Sequence, residues 1–265
     1  MRRVVLATFM LSCSMLSCSP VSSLAAQTAP SGAREPKTGE QKAVTVLKPV
    51  VPPTTGNWNY KVTMKLPNET RVGNYSVAVE DAEGAWRVTG HWPASAMIPG
   101  EMSDIQMLEK GTLLVRKDSF QRAPKPGEAS KAVTADVAFA GNRVTGSSTT
   151  ATGEQQPVAS DLPVPPFPGG VAIDVVIGCL PLANDYAVTY RYWDVHKLSE
   201  GSLDVKVVGA DRVTVPTGTF DTWKVELRLA DGSETGTVWI TKDTRVPVKS
   251  GGPRGTTYIS TELVP

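Results

Sequence analysis

The side chains best suited to nucleophilic or metal chemistry in this sequence belong to two histidines and three cysteines. Cys13 and Cys18 lie near the N-terminus, whereas Cys179, His91 and His196 lie in the rest of the chain. A zinc site needs three or four ligands, usually in short paired spacings, and a hydrolytic triad needs a nucleophile beside a base and an acid. Neither histidine belongs to such a spacing, and the sequence contains no G-x-S-x-G motif. We therefore predict no catalytic residue, no metal site and no cofactor.

The two N-terminal cysteines belong to a segment that predicts export. Residues 1–26 combine a charged start, a short apolar core and small residues, as in a secretory signal. Met10–Cys13 and Met15–Cys18 both read Met-Leu-Ser-Cys, which resembles the bacterial lipobox, in which the cysteine becomes the lipidated first residue. We favour lipid attachment at Cys18, with ordinary cleavage after Ala25 as the alternative. Either route predicts an exported, periplasmic protein or an outer-membrane lipoprotein.

The charge balance excludes one class of partner. The chain carries 27 Lys and Arg against 26 Asp and Glu, so its formal charge is +1. Nucleic acids and anionic membrane surfaces attract proteins with a basic excess, which is missing here. We therefore predict no nucleic-acid partner, and contact with a membrane only through the N-terminal lipid anchor.

The organisation of the chain follows from composition and hydrophobic period. Residues 19–56 are rich in proline and small polar residues, which predicts a flexible tether. From residue 57 onward apolar residues alternate with polar ones, for example in Trp58–Leu66 and Trp223–Leu229, as in strands with one wet face. We count about eleven strands, too many for a flat sheet. Residues 57–265 are thus predicted to form a single all-β domain, a strongly curled antiparallel sheet or half-barrel.

Two stretches interrupt the strand pattern and are expected to pack as loops or short helices against the concave face. Residues 94–107 contain three methionines with proline and glycine. Residues 161–185 begin with four prolines, at 163, 165, 166 and 168, and continue into an apolar run. The period of residues 171–179 fits either a buried strand or a helix, and after Pro168-Gly169-Gly170 we favour a short helix. Cys179 ends this run, so we expect a small buried side chain rather than a nucleophile.

The last third of the chain carries the most distinctive motifs. Val213–Glu226 reads V-T-V-P-T-G-T-F-D-T-W-K-V-E, and it is followed by a V-P-V-K segment and a closing strand that ends in Glu262-Leu263. This order resembles the bacterial envelope family called domain of unknown function 3108. The resemblance implies a curled antiparallel sheet similar to the half-barrels of envelope lipoprotein carriers, and it implies no catalytic residue. Residues 57–160 resemble the family only in their succession of alternating strands.

The function predicted from these observations is a non-enzymatic envelope module that binds an apolar ligand or lipid, or another envelope component. Large aromatic residues on the apolar phase of the strands could line a hydrophobic groove, with the methionine-containing residues 94–107 as an adaptable lid. The predicted ligand-binding residues are Trp58, Tyr60, Trp86, Trp92, Trp223, Met97 and Met102. The alternative is that these aromatic residues fill the core. The protein would then be a structural or interaction scaffold that binds another envelope protein at its rim. A hydrolase with a carboxylate-based site is a third alternative, since strands bring distant acids together.

Overall fold

The structure is a computed structural model that describes residues 47–229, 232 and 235–265. These residues form fifteen strands and one helix. In chain order the elements are β1 (Gly56–Lys65), β2 (Thr70–Ala82), β3 (Ala85–Trp92), β4 (Met102–Glu109), β5 (Val115–Arg122), β6 (Val133–Ala140), β7 (Arg143–Thr149), β8 (Gln155–Asp161), β9 (Phe167–Pro168), α1 (Ala172–Gly178), β10 (Ala187–Asp194), β11 (Ser199–Val215), β12 (Gly218–Leu229), β13 (Thr235–Thr241), β14 (Pro247–Arg254) and β15 (Thr257–Val264). The export signal and Cys18 lie outside the described residues.

All fifteen described strands belong to one sheet, in the order β8-β7-β6-β5-β4-β3-β2-β1-β15-β14-β13-β12-β11-β10-β9. Consecutive strands pair with each other, except that β8 and β9 do not, because they form the two edges of the sheet. In addition, β1 pairs with β15 and so joins the two ends of the domain. Every pair is antiparallel apart from β9 with β10. Short turns between alternating strands favour this meander, and the predicted all-β curled sheet is confirmed.

The sheet curls until its β9 edge meets β5. The backbone N–H of Val115 donates to the carbonyl of Pro166 over 3.2 Å, and the rings of Phe139 and Trp193 meet edge to face with centroids 5.9 Å apart. Among the described strands no ladder joins β9 to β5, so the barrel stays open. We call this contact between β5–β6 and β9–β10 the seam.

The space inside the curl, here the lumen, is filled largely by α1. Nearly every residue of this seven-residue helix is buried, and the helix confirms the prediction for residues 171–179. Gly90 of β3 lies where a Cβ atom would come within 2.6 Å of the Trp92 ring and 3.1 Å of Val171, so glycine lets the chain before α1 approach the sheet. None of the helices within the described ranges is long and apolar enough to span a bilayer.

The strand count of about eleven was too low, and β4 shows why. Along β4 the buried positions are Met102, Asp104, Gln106 and Leu108, so two polar residues occupy the apolar phase and break the expected period. The prediction of a loop or helix over residues 94–107 is therefore wrong from Met102 onward. Only the part before β4, which contains Met97, is a loop.

The end of the predicted tether packs onto the domain. Leu47 is only 6% exposed, and the backbone N–H of Val50 donates to the carbonyl of Cys179 over 2.8 Å. Cys179 itself is 1% exposed, and burial raises the pKa of its thiol to about 12. Its predicted role as a small buried side chain is confirmed. Residues 19–46 of the tether lie outside the described ranges.

Candidate ligand-binding site

The aromatic residues predicted to bind a ligand do meet in the lumen, but they leave little space. Tyr75 stacks on Tyr60 and Trp92, with centroid distances of 4.9 Å and 5.6 Å. The Tyr60 hydroxyl donates to the carbonyl of Pro247 over 2.9 Å. The cavity lined by Tyr60, Trp92 and Trp58 measures about 20 Å³, which suffices for a water molecule and no more.

The other four predicted residues do not line this cavity. Trp86 and Trp223 are half-buried, under the ammonium groups of Lys110 and Lys242 at 5.4 Å and 4.4 Å from the ring centroids. Met102 is 2% exposed and belongs to the core. Met97 packs over Gly73. The seven residues therefore form no common ligand cavity in this structure.

Buried carboxyls are a feature of the lumen that the sequence analysis missed. Asp104 and Asp118 lie side by side on β4 and β5, and burial raises the pKa of both above the usual range. Gln106 connects Asp118 to the helix, because its Nε2 donates to Asp118 Oδ2 over 3.0 Å and its Oε1 accepts the N–H of Ala172 over 3.3 Å. This network anchors the start of α1. The sequence signal for this network was the presence of polar residues at positions of β4 where the strand period predicts apolar ones.

Asp174 of α1 is a third buried carboxyl, and it faces the aromatic cluster. It is 4% exposed, and burial raises its pKa to about 7. Its Oδ2 has no hydrogen-bond partner among the described residues. It lines the small lumen cavity, as does the guanidinium of Arg245. A buried, partly protonated acid beside a water-sized space fits an internal hydration site.

A much larger hollow lies at the β4–β5 turn end of the seam, where the chain before β1 also passes. We call it the apolar cleft, and its volume is about 560 Å³. The lining residues are Leu47, Lys48, Pro49, Gly111, Thr112, Leu114, Val164, Pro165, Phe167, Thr189 and Arg191. Leu114, Val164 and Phe167 provide apolar wall, while Lys48 and Arg191 provide positive charge at its border.

The local chain explains why this cleft forms. Leu113 adopts a positive φ of 58° in the β4–β5 turn, and Leu114 follows it into the cleft. Prolines at 163, 165 and 166 prevent the segment before β9 from pairing as a regular strand. Arg191 forms an ion pair with Glu200, whose Oε1 lies 3.2 Å from Arg191 Nη1. None of the predicted ligand-binding residues lies in this proline-rich segment.

The histidines lie apart, as their spacing indicated. The Nε2 atom of His91 lies 2.9 Å from Glu101 Oε1 at the surface. The ring of His196 packs edge to face on the ring of Phe120, with the two centroids 4.2 Å apart. Within the described part of the chain no cluster of three His, Cys, Asp or Glu side chains could hold a metal ion. Asp104 and Asp118 do not line the apolar cleft or the lumen cavity.

The family model described as "Protein of unknown function (DUF3108)" matches residues 59–253. The chain belongs to the DUF3108 family. The match spans both halves of the sheet of this DUF3108 protein, from β1 to β14, and therefore includes the region for which the sequence analysis found only a shared strand rhythm.

One solved structure shares the overall fold of this DUF3108 protein. The chain is similar to the β-barrel-like protein of domain of unknown function DUF1849 from Brucella abortus, with a TM-score of 0.57 and 11% identity over 81% of this chain and 98% of that chain. Weaker likenesses are a DUF1329 family protein from Desulfovibrio piger ATCC 29098 (TM-score 0.23, 9% identity, 80% and 84% of the two chains) and a protein with a YmcC-like fold from Bacteroides fragilis NCTC 9343 (0.29, 11%, 82% and 97%). No curated protein matches the sequence significantly.

Proposed function

We propose that this DUF3108 protein is a non-enzymatic module of the cell envelope that holds an apolar or amphipathic ligand in the apolar cleft. The observation that carries the proposal is a hollow of about 560 Å³ with mostly apolar walls. Sites for small ligands usually measure about 300–1,000 Å³ and combine such walls with a few polar groups. Lys48 and Arg191 at the border suit the polar end of an amphiphile.

The lumen supports a different role for the aromatic residues. Tyr60, Tyr75 and Trp92 stack on one another, and α1 covers them. A space of about 20 Å³ excludes an acyl chain. In this proposal the lumen keeps the sheet curved, and the ligand is bound at the seam.

The test uses N-phenyl-1-naphthylamine, a neutral probe whose emission rises in apolar sites. The wild-type chain is expected to bind it, whereas Leu114→Trp/Val164→Trp, which places two indole rings in the cleft, should weaken binding about tenfold or more. The matched control is Val72→Trp/Val208→Trp, because both residues are 46% exposed and lie elsewhere on the sheet. Equal binding by both double variants would place the probe outside the cleft.

A scaffold without a ligand is the second candidate, and the filled lumen favours it. The two candidates differ in what accompanies the protein from its own envelope. Native mass spectrometry of that material should show a bound lipid-sized mass that the Leu114→Trp/Val164→Trp variant lacks. Material with no bound mass, together with no probe binding, would favour the scaffold.

Export and lipidation at Cys18 complete the proposal. The sequence supports them through the segment 1–26 and the string Met15–Cys18. The mature protein is expected to begin at a diacylated Cys18, and Cys18→Ser should remove the lipid mass and release the protein from membranes. A mature N-terminus at Ala26 would instead establish the ordinary signal cleavage.

A further inference from the structure

A second hollow lies at the opposite end of the seam from the apolar cleft, where β5 ends and the β10–β11 turn passes over it. We call it the basic pocket, and its volume is about 370 Å³. The lining residues are Phe120, Arg122, Val133, Thr134, Ala135, Ser148, Thr149, Thr150, Gln156, Val195, His196, Lys197 and Leu198.

The charged groups of this pocket are all basic. Arg122 and Lys197 line it together with His196, and no carboxylate belongs to the lining. The buried Asp194 borders the pocket, and its Oδ2 lies 3.2 Å from Lys197 Nζ. Its Oδ1 accepts the backbone N–H groups of His196 and Lys197 over 3.0 Å and 3.2 Å. Asp194 is therefore occupied in holding the turn and in balancing part of one positive charge.

His196 is a partly covered side chain with unused hydrogen-bonding capacity. Its ring packs on Phe120, and neither ring nitrogen bonds to another described residue. Burial lowers the pKa of the imidazole to about 4, and although Asp194 counteracts this, Arg122 and Lys197 lower it further. The ring is thus neutral at pH 7, with one N–H to donate. A ring N–H that no described protein group accepts, at the wall of a hollow, is available to a ligand.

We propose that the basic pocket binds the phosphate or carboxylate group of a small ligand through Arg122, Lys197 and His196. Guanidinium and ammonium groups form the strongest hydrogen bonds with such anions. Ser148 lies opposite Ala135, which lies opposite Phe120, so these three residues share one face of the sheet and the Ser148 hydroxyl adds a neutral donor to this wall. Phe120, Val133 and Leu198 offer apolar surface for the body of the ligand. This site is separate from the apolar cleft, so either proposal can fail without the other.

The two histidines of the chain allow a direct test by NMR, because His196 lines the pocket and His91 is an exposed reference beside Glu101. The full chain is titrated at pH 7 with inorganic phosphate, octyl phosphate or the neutral octyl glucoside. Both anions should shift the His196 ring signals and leave those of His91 in place. A bound anion should also raise the pH at which His196 titrates, which a purely structural ring would not show.

The arms of the titration distinguish the source of the anion. Octyl phosphate acting at about tenfold lower concentration than inorganic phosphate would identify an amphiphile, since its chain adds apolar burial. If octyl phosphate and inorganic phosphate act at equal concentrations, the ligand is identified as a small free anion. An effect of octyl glucoside equal to that of octyl phosphate, or no shift with either anion, would overturn the proposal.

Variants connect the binding to the named side chains. Lys197→Gln should weaken octyl phosphate binding about tenfold, and Arg122→Gln should do at least the same. Lys197 has a half-exposed side chain, so its replacement should leave the fold intact even if Arg122→Gln does not. Lys206→Gln, at an exposed position of β11, is the matched control. Equal affinities for Lys197→Gln and Lys206→Gln would contradict the assignment.

Discussion

The lumen and the seam are built from the same alternating strands, yet they are filled to different extents. Two small spaces beside α1 measure about 20 Å³ and 40 Å³, whereas the two hollows at the ends of the seam measure about 560 Å³ and 370 Å³. In the lumen, an apolar helix covers a continuous curved face. At the seam, two parts of the sheet meet without a ladder, and the rings of Phe139 and Trp193 hold them together. The curl therefore separates a core from surfaces suited to ligands.

Truncation inside the lumen should have the largest effect on stability. Ile177 of α1 is fully buried, so Ile177→Ala is expected to lower the free energy of unfolding by about 2–5 kcal/mol, through lost burial and a new cavity. Urea denaturation measures this change. Ile105→Ala is the control, because Ile105 is 40% exposed and should change stability by no more than about 0.5 kcal/mol. Similar losses for both would mean that α1 is not the centre of the core.

Titration of Asp174 should make stability depend on pH. Its folded-state pKa of about 7 exceeds the ordinary value of 3.8, so the folded chain keeps a proton that the unfolded chain releases. The contribution of Asp174 to stability is therefore largest below about pH 4 and decreases as pH rises to 7, by up to about 4 kcal/mol. Asp104 and Asp118 act in the same direction, whereas His196 opposes them.

Asp174→Asn isolates that contribution. The variant should lose less stability than the wild type between pH 4 and pH 7, as measured by urea midpoints at each pH. Asp161→Asn is the control, because Asp161 is exposed on β8. A pH profile of Asp174→Asn that parallels the wild type would show that this carboxyl does not titrate as its burial implies.

Thiol reactivity compares the two regions directly. In a chain with Cys13→Ser and Cys18→Ser, Cys179 is the remaining thiol, and its burial and raised pKa should make it react at least a hundredfold more slowly with a disulfide reagent than an exposed thiol. Thr112→Cys in a chain that also carries Cys179→Ala places the thiol in the apolar cleft and should restore fast labelling. Fast labelling of Cys179 in native protein would show that the lumen opens.

The smallest expected effect is at the periphery of the lumen. Lys110 lies over the Trp86 ring and pairs with Asp81 at 2.6 Å, with both charged side chains well exposed. Lys110→Gln should lower stability by no more than about 1 kcal/mol, since water screens such contacts. Urea denaturation measures the free energy of unfolding of this variant, and the loss in Ile177→Ala serves as the reference for a core truncation. A loss as large as that of Ile177→Ala would mean that Trp86 belongs to the core.

Strand alternation made much of this fold predictable. The hairpin of β11 and β12 turns at Pro216-Thr217, as the tight-turn residues of that motif indicate. Along the same pair, β11 contains a bulge between Val207 and Gly209 that shifts its register with β12. A bulge depends on which partner a strand takes, and local sequence does not show that. The short strand β9 was missed for the same reason, because two residues carry no period.

The sequence by itself determined the all-β class, the curl, the buried Cys179 and the helix after Gly170, since each follows from local period, strand number or composition. Tertiary structure alone decided whether the aromatic residues fill the core or line a ligand site. Trp58, Tyr60 and Trp92 close the lumen, and the hollows lie elsewhere. Tertiary structure also placed Asp104 and Gln106 inward, where Gln106 holds the start of α1. These outcomes depend on where strands far apart in sequence meet, and in particular on β9 and β10 reaching β5 and β6. A hydrophobic pattern shows which face is buried but not which surface covers it.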